Sequence, residues 1–402
     1  MLALISPGQG SQKPGFLAPW LDLPGAEARL RWWSALAGVD LIHLGTRADA
    51  DEIKDTARTQ PLLIAAALLA AEHLPGDAPT GRPGLGGLHD VAVTAGHSVG
   101  ELAAAALAGV LTPEAAITLA AIRGREMAAA CALEPTSMAA VLGGDADEVL
   151  AAIDKHGLHA ANHNGIGQIV AAGAVDRLEK LAADPPAGAR VRVLQVAGAF
   201  HTPYMAPAER ALAAVAEGIT PGEPVRILLS NRDGAAVDHG REMLQRLVRQ
   251  VTAPVRWDLC MRTLADLGVT AVIELPPAGT LAGLLKRELR SVGVPEIVTV
   301  NTPDDLPAAR DLIARHGVLP SREPAMPFRV VVAGAAGTFV PDSGLREGDT
   351  VTPGQLIGQV ITRQGPVDVT AHAGGVLTEW LAHPDDPVAP GQPLVRIGGH
   401  SQ

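Results

Sequence analysis

The sequence predicts an α/β protein with a parallel sheet, followed by a small all-β domain. Up to about residue 315, short apolar runs alternate with long alanine-rich stretches, which is typical of a parallel sheet covered by helices. Residues 317–327 are rich in proline and predict a linker. Residues 328–402 contain short β-like runs separated by Gly and Pro, and these runs predict the all-β domain.

Five unbroken apolar runs predict the strands of the parallel sheet, because strands buried on both faces lack polar alternation. They are LALIS (2–6), VAVTA (91–95), RILLS (226–230), AVIEL (271–275) and IVTVN (297–301). Thr112 and Pro113 predict a helix start, since Thr caps and Pro fits the first helical position. The run at 62–71 is too short to cross a bilayer, so it predicts a buried helix.

Residues 136–198 form a different pattern within the α/β part. Two helical stretches, DADEVLAAIDKHG and VDRLEKLAA, are interspersed with four β-like runs, SMAAVLG, HAANHNG, GQIVAAG and VRVLQVAG. This βαββαβ order predicts a ferredoxin-like subdomain inserted into the core. The core itself would then consist of residues 1–135 and 199–316.

Composition and charge narrow the classes of function. The 402 residues are 47% hydrophobic and 19% charged, as in globular proteins. A net charge of −11 gives no electrostatic reason to expect binding to nucleic acid or to an anionic membrane. Two cysteines without metal-ligand spacing and an N-terminus unlike a signal peptide predict a cytoplasmic protein. No metal or redox cofactor is expected.

The stretch TAGHSVGELAAAALAGV (94–110) contains the candidate nucleophile, Ser98. A strand, then G-H-S-V-G, then a helix is the order of a nucleophile elbow, in which glycines permit a sharp turn that raises the serine hydroxyl. The helix N-terminus supplies N–H groups for an oxyanion. The alternative is a glycine-rich turn of the kind that any α/β protein can contain.

A nucleophilic serine needs a base, and the sequence has 13 histidines. His201 is favoured because an apolar strand leads into the loop that ends on it. His163 is a weaker candidate, and the side chain of His97 should point away from the neighbouring Ser98. No acid between residues 98 and 201 is an obvious third member of a triad.

Seven motifs in matching order resemble the malonyl-CoA:acyl carrier protein transacylase family over residues 2–315. They are SPGQGSQ (6–12), RTQPLLIAAALL (58–69), GHSVGE (96–101), RGREM (123–127), NGIGQIVAAG (164–173), GAFHTPYM (198–205) and VRQVTAPVRW (248–257). The resemblance implies a serine-hydrolase-like core. It also implies transfer of malonyl from malonyl-CoA to the phosphopantetheine thiol of acyl carrier protein, in fatty-acid or polyketide synthesis.

The resemblance also implies roles for individual residues. Ser98 would be the nucleophile and His201 its base, with the backbone carbonyl of Gln250 holding the imidazole where a hydrolase would use a carboxylate. The backbone N–H groups of Gln9 and Val99 would form the oxyanion hole.

Arg123 would bind the free carboxylate of the malonyl group, for which a planar guanidinium is well suited. Helical periodicity does not choose between Arg123 and Arg125, so the choice depends on the motif. Met127 should share the helix face of Arg123; alternatively, it belongs to the core. Asn162 is a candidate pocket residue, and Phe200 would crowd an α-methyl group and favour malonyl over methylmalonyl.

One departure from the family, ELPPAGTL (274–281) in place of a Gly-Pro-Gly loop, leaves the conformation of that loop open.

The C-terminal part contains an internal repeat. GDTVTPGQLIGQV (348–360) recurs 37 residues later as DDPVAPGQPLVRI (385–397), and with VDVTAHAGGV (367–376) it resembles a biotinyl/lipoyl carrier domain. Such carriers present a lysine between their halves, where this chain has ITRQGPVDV with Gln364 at or beside that position. The last lysine is Lys286, so residues 328–402 have no attachment lysine and are expected to contact other synthesis enzymes instead.

Two other functions remain open at this point. A serine hydrolase of esterase type would let water take the place of the thiol, and a catalytic carboxylate near His201 would favour it. A non-catalytic binding protein is disfavoured by the presence of Gln9, Ser98, Arg123 and His201 together.

Overall fold

The structure is a computed structural model that describes residues 1–75, 88–317, 328–372 and 374–398. The chain divides into two compact units, Met1–Pro320 and Ser321–Gln402. Apart from its first residue, the predicted linker 317–327 lies outside the described residues. Among the described helices, none has the length and apolar character needed to span a membrane.

The helices and strands of the first unit alternate along the chain. The helices are α1 (Ala26–Ala37), α2 (Leu41–Thr46), α3 (Thr56–His73), α4 (Gly100–Leu107), α5 (Pro113–Cys131), α6 (Ala146–Lys155), α7 (Val175–Ala183), α8 (Ala206–Ala216), α9 (Gly240–Arg249), α10 (Trp257–Asp266), α11 (Thr280–Glu288) and α12 (Leu306–His316). The strands are β1 (Leu2–Ser6), β2 (Val93–Gly96), β3 (Thr136–Gly143), β4 (His159–His163), β5 (Gln168–Ala174), β6 (Ala189–Val193), β7 (Ile227–Leu228), β8 (Val255–Arg256), β9 (Ala271–Glu274) and β10 (Glu296–Thr299).

The first sheet confirms the predicted parallel α/β core. Its order is β10-β9-β1-β2-β7, and every neighbouring pair is parallel. All five strands come from the five apolar runs, and β1, β2 and β9 are completely buried. The edge strand β10 is only partly buried, because it has a neighbour on one side alone.

Helices α3 and α5 pack closely against each other beside this sheet. The predicted buried run lies in α3, where Leu62 to Ala71 are all at most 1% exposed. Helix α5 begins as predicted, with the Thr112 hydroxyl accepting the N–H of Ala115 at 3.1 Å. A Cβ atom at Gly124 would lie 2.6 Å from the carbonyl oxygen of Thr56, so only glycine permits this approach of the two helices.

A second sheet follows the order β6-β3-β5-β4-β8. Strands β3 to β6 and helices α6 and α7 occur in βαββαβ order, and their pairs β3–β5, β3–β6 and β4–β5 are antiparallel. The last predicted strand, VRVLQVAG, extends in the structure only to Val193. The N–H of Leu194 still donates to the carbonyl oxygen of Met138 in β3 at 2.9 Å, and the chain then leaves the sheet. Leu194, Gln195 and Val196 lie along a cavity. Strand β8, which the sequence did not predict, joins β4 in parallel.

The second unit consists of short strands in two four-stranded sheets. The strands are β11 (Phe328–Val332), β12 (Gly337–Pro341), β13 (Thr350–Val351), β14 (Leu356–Thr362), β15 (Gly365–Thr370), β16 (Gly375–Trp380), β17 (Pro387–Val388) and β18 (Pro393–Gly398). The sheets have the orders β11-β18-β16-β13 and β15-β14-β12-β17. The two halves of the repeat make β11 equivalent to β15, β12 to β16, β13 to β17 and β14 to β18. Exchanging each strand of one sheet of this unit for its equivalent gives the strand order of the other sheet, so the sequence repeat is also a structural one.

Candidate active site

Ser98 lies in a sharp turn between β2 and α4. Its φ is 53°, in the left-handed region that non-glycine residues rarely adopt. A Cβ atom at Gly96 would lie 2.1 Å from the carbonyl group of Gly100, and one at Gly100 would lie 2.3 Å from the carbonyl oxygen of Ser6. The two glycines therefore make the turn possible, and the strained backbone is of the kind that concentrates at functional sites.

His201 contacts Ser98 on one side of its ring and Gln250 on the other. The Ser98 hydroxyl donates to His201 Nε2 at 2.7 Å, and His201 Nδ1 donates to the backbone carbonyl oxygen of Gln250 at 2.7 Å. Because Nδ1 faces a carbonyl, which can only accept, the proton of the neutral ring is on Nδ1 and the lone pair is on Nε2. The arrangement can therefore take a proton from the serine hydroxyl.

Burial and a nearby positive charge keep His201 neutral. Its pKa is lowered to about 3, first by removal from water and next by the guanidinium of Arg123. The imidazole is thus unprotonated at neutral pH and available as a proton acceptor.

Gln9 and Val99 line the same cavity as Ser98. Across the described residues, the backbone N–H groups of Gln9 and Val99 have no hydrogen-bond acceptor. The Ser98 N–H, by contrast, donates to Oδ1 of Asn231 at 2.8 Å. Val99 precedes the first turn of α4, where free N–H groups and the helix dipole favour negative charge.

Arg123 lies on α5 with its guanidinium beside Ser98. Its Nη2 donates to Ser98 Oγ at 3.4 Å and to Gln250 Oε1 at 2.9 Å, while Nη1 donates to Gln60 Oε1 at 2.7 Å. The residue is 2% exposed, and burial lowers its pKa to about 10, so it remains charged at neutral pH. Within the described ranges it forms no ion pair, whereas Arg125 on the same helix is exposed and pairs with Glu126.

The cavity beside Ser98 has a volume of about 430 Å³. Met127, Asn162 and Phe200, the predicted substrate-binding residues, line it, and all three are buried. His97 turns away from Ser98 as expected, and its Nε2 lies 2.9 Å from Asn164 Oδ1. His163, the weaker candidate for the base, lines a separate cavity next to Asp258 and Arg262.

The ELPPAGTL loop is held by the buried carboxylate of Glu274. Its two oxygens accept the N–H groups of Leu281 and Ala282 at 2.9 and 2.8 Å, at the first turn of α11. Thr280, Leu281 and Leu284 of that helix line the cavity. The chain thus forms a defined loop here without the family's Gly-Pro-Gly.

Three buried residues near the site were not identified from the sequence. Glu101 and Gln60 are each 1% exposed, and Asn231 is completely buried. Burial raises the pKa of Glu101 to about 8, against the effect of its N–H donors and of Arg123. Glu101 resembles any acid in the first turn of a helix; its position inside an alanine-rich apolar stretch and at the end of the GHSVGE motif were the available signals.

The fold and the serine turn are those of an acyltransferase, and the acyl transferase domain family matches residues 4–312. Two similar proteins are named malonyl CoA-acyl carrier protein transacylase. The one from Mycobacterium tuberculosis is 55% identical over 306 residues, which cover 76% of this chain and 98% of the relative. The one from Escherichia coli is 32% identical over 320 residues, which cover 77% of this chain and 99% of the relative.

Solved structures give the same result. The crystal structure of MCAT from Mycobacterium tuberculosis is 54% identical with a TM-score of 0.72, and the match covers 77% of this chain and 99% of that one. A malonyl-transacylase in complex with its type II PKS acyl-carrier protein is 31% identical with a TM-score of 0.69, again over 77% and 99%. The chain belongs to the malonyl CoA-acyl carrier protein transacylase family.

Proposed function

We propose that this chain transfers a malonyl group from malonyl-CoA to the phosphopantetheine thiol of an acyl carrier protein, for fatty-acid or polyketide synthesis. One observation carries the substrate class: Arg123 is a buried cation beside Ser98 with no carboxylate partner among the described residues. A buried charge without a counter-ion is costly. A substrate that ends in a carboxylate supplies the counter-ion and at the same time brings its thioester to the serine.

The first half-reaction forms an ester on Ser98. Its Oγ attacks the thioester carbonyl carbon while the proton passes to His201 Nε2, and the N–H groups of Gln9 and Val99 stabilise the oxyanion. Collapse of the tetrahedral intermediate breaks the C–S bond. The proton on His201 passes to the departing coenzyme A sulfur, which leaves malonyl-Ser98.

The second half-reaction reverses these steps with a different thiol. The phosphopantetheine thiol gives its proton to His201 and attacks the ester carbonyl of malonyl-Ser98. The C–O bond to Ser98 breaks, and Oγ recovers the proton from His201. The Gln250 carbonyl orients the imidazole throughout, in the position where an esterase would have a carboxylate.

Side chains around the cavity support selectivity for malonyl. Phe200 directly precedes His201 and lines the cavity, so its ring would crowd an α-methyl group. Met127 and Asn162 border the same space and would contact the acyl group.

The remaining assignments concern the organisation of the chain. We infer that residues 1–135 and 199–316 form the serine-hydrolase-like core and residues 136–198 a ferredoxin-like subdomain, supported by the order of β3 to β6.

Residues 328–402 are proposed to be a biotinyl/lipoyl-like domain, supported by the two equivalent sheets. The turn between β14 and β15 contains Arg363 and Gln364 and no lysine, so a docking role toward other synthesis enzymes is proposed. We place the protein in the cytoplasm.

Intact-protein mass spectrometry after mixing with malonyl-CoA tests the proposed reaction. The wild-type chain should gain one malonyl group, and Ser98→Ala should gain none. Adding an acyl carrier protein that bears phosphopantetheine should remove the label from the enzyme and transfer it to the carrier. Labelling that persists in Ser98→Ala would overturn the assignment, and loss of the label to water at the same rate without a carrier would indicate a hydrolase.

A further inference from the structure

Gln250 makes two separate sets of contacts with the site. Its backbone carbonyl accepts the Nδ1–H of His201. Its side-chain amide lies between two buried ionisable groups: Oε1 accepts from Arg123 at 2.9 Å, and Nε2 donates to Oε2 of Glu101. The same Nε2 also donates to the backbone carbonyl oxygen of Ser98 at 3.0 Å. Glu101 forms no ion pair within the described part of the chain, so the amide connects Arg123 and Glu101 without direct contact between them.

The direction of this hydrogen-bonded chain is fixed at both ends. Arginine can only donate, so the oxygen of the Gln250 amide must face Arg123 and its nitrogen must face Glu101. The other carboxylate oxygen of Glu101 accepts the backbone N–H of Asn231, which also can only donate. Glu101 therefore has a donor on each side, and these two donors favour its ionised form, which only accepts hydrogen bonds.

We propose that Glu101 is a positioning residue that fixes the orientation of the Gln250 side-chain amide and thereby holds the Arg123 guanidinium in place for the substrate carboxylate. This inference rests on the proposed function. A glutamine at position 101 keeps the shape but brings an NH₂ group. If that group faces Gln250, the Gln250 amide must turn and present its own NH₂ to Arg123, which places two donors against each other.

A purely electrostatic role for Glu101 predicts the opposite change in the preference for malonyl-CoA when Glu101 is replaced by Gln. If Glu101 acted only through its charge, removing that charge would increase the positive potential at Arg123 and strengthen the preference for a carboxylate-bearing substrate. The change in malonyl preference therefore distinguishes orientation from simple electrostatics.

The test compares Glu101→Gln with wild type at a pH above 8, where the Glu101 carboxyl is ionised. The measured quantity is the kcat/KM for acylation by malonyl-CoA divided by that for acetyl-CoA. We expect the ratio to fall about tenfold or more, because a buried charged donor loses its acceptor. Glu72→Gln is the matched control, since Glu72 is also a buried acid but pairs with Arg29 away from the site. It should leave the ratio unchanged.

A second variant keeps the test decisive if Glu101→Gln does not fold. Gln250→Leu removes the amide and retains the backbone carbonyl, so it should lower the malonyl-to-acetyl ratio similarly. Where both variants fold, the double variant should show little further loss. A ratio that stays constant or rises in the single variants, or losses that simply add in the double variant, would overturn the inference. Absence of malonyl-Ser98 in the wild-type chain would instead overturn the proposed function.

Discussion

The two units of the chain bury different kinds of side chain. The first unit buries a connected set of polar groups around the serine turn, including Glu101, Arg123, His201 and Gln250. In the described residues of the second unit, the buried side chains are apolar, with Phe339 and Leu377 among them. Burying a polar group costs free energy unless it is well hydrogen-bonded. The first unit therefore needs many hydrogen bonds between buried side chains, whereas the core of the second unit consists of apolar side chains between hydrogen-bonded strands.

This difference leads to an expectation about mutations. Changes in the polar set of the first unit should alter the rate of acylation, and changes in the core of the second unit should alter stability and leave the rate of acylation unchanged.

The largest effect is expected for His201→Ala. The rate of malonyl-Ser98 formation should fall by about 10²–10⁴-fold, because a positioned base contributes that much. Rapid-quench mass spectrometry measures the rate, and a thermal melt verifies the fold. His163→Ala is the control, since His163 lines a different cavity. An equal loss of rate in both variants would show that His201 is not the base that activates Ser98.

Phe339→Ala should lower the free energy of unfolding of the second unit by about 3–5 kcal/mol, because it leaves a cavity in a small core. Phe339 is fully buried and lies 6.1 Å from the ring of Trp380. Denaturant titration measures the loss, and Val340→Ala on the same strand, where the side chain is 41% exposed, should have little effect. A simultaneous drop in the acylation rate would contradict the proposed separation of roles.

Arg123→Ala should reduce kcat/KM for malonyl-CoA by about 10–100-fold, as expected for the loss of about 1.5–3 kcal/mol from a charge-assisted contact. Acetyl-CoA, which lacks the carboxylate, should be affected less. Arg125→Ala, on the exposed face of the same helix, should behave as wild type. If Arg125→Ala lost malonyl selectivity instead, the carboxylate would be bound elsewhere.

The smallest effect on acylation is expected from ending the chain at residue 320. Each unit has its own hydrophobic core, so the shortened chain should form malonyl-Ser98 at the wild-type rate. A defect should appear in transfer to the carrier protein or in assembly with partner enzymes. Failure to form malonyl-Ser98 would show that the second unit is part of the catalytic fold.

Most of the core architecture follows from apolar patterning. All five strands of the parallel sheet come from the predicted runs, because strands in the interior of such a sheet are buried on both faces and are mostly apolar. Strand β8 escaped prediction, since two residues, Val255 and Arg256, have no periodicity and pair only through tertiary contact. The predicted extension of β6 to residue 198 was wrong for a related reason: apolar residues lining a cavity look like apolar residues in a strand.

The candidate site was predictable to the extent that motifs identify it. Periodicity could not separate Arg123 from Arg125, and burial now does so. The contacts of Glu101 and Asn231 could not be found from local sequence, because each bonds a residue of the site more than a hundred positions away. A hydrogen-bond network of that kind exists only after the chain has folded.

The interleaving of the two halves in the second unit has a consequence for biosynthesis. Strand β18 is synthesised after every other described strand, yet it lies between β11 and β16 in its sheet. While β18 is still inside the ribosome, β11 has no partner in that sheet and its edge is open to pairing with other chains. This unit must therefore fold after translation has passed β18, whereas the parallel sheet of the first unit can close as soon as β10 has emerged.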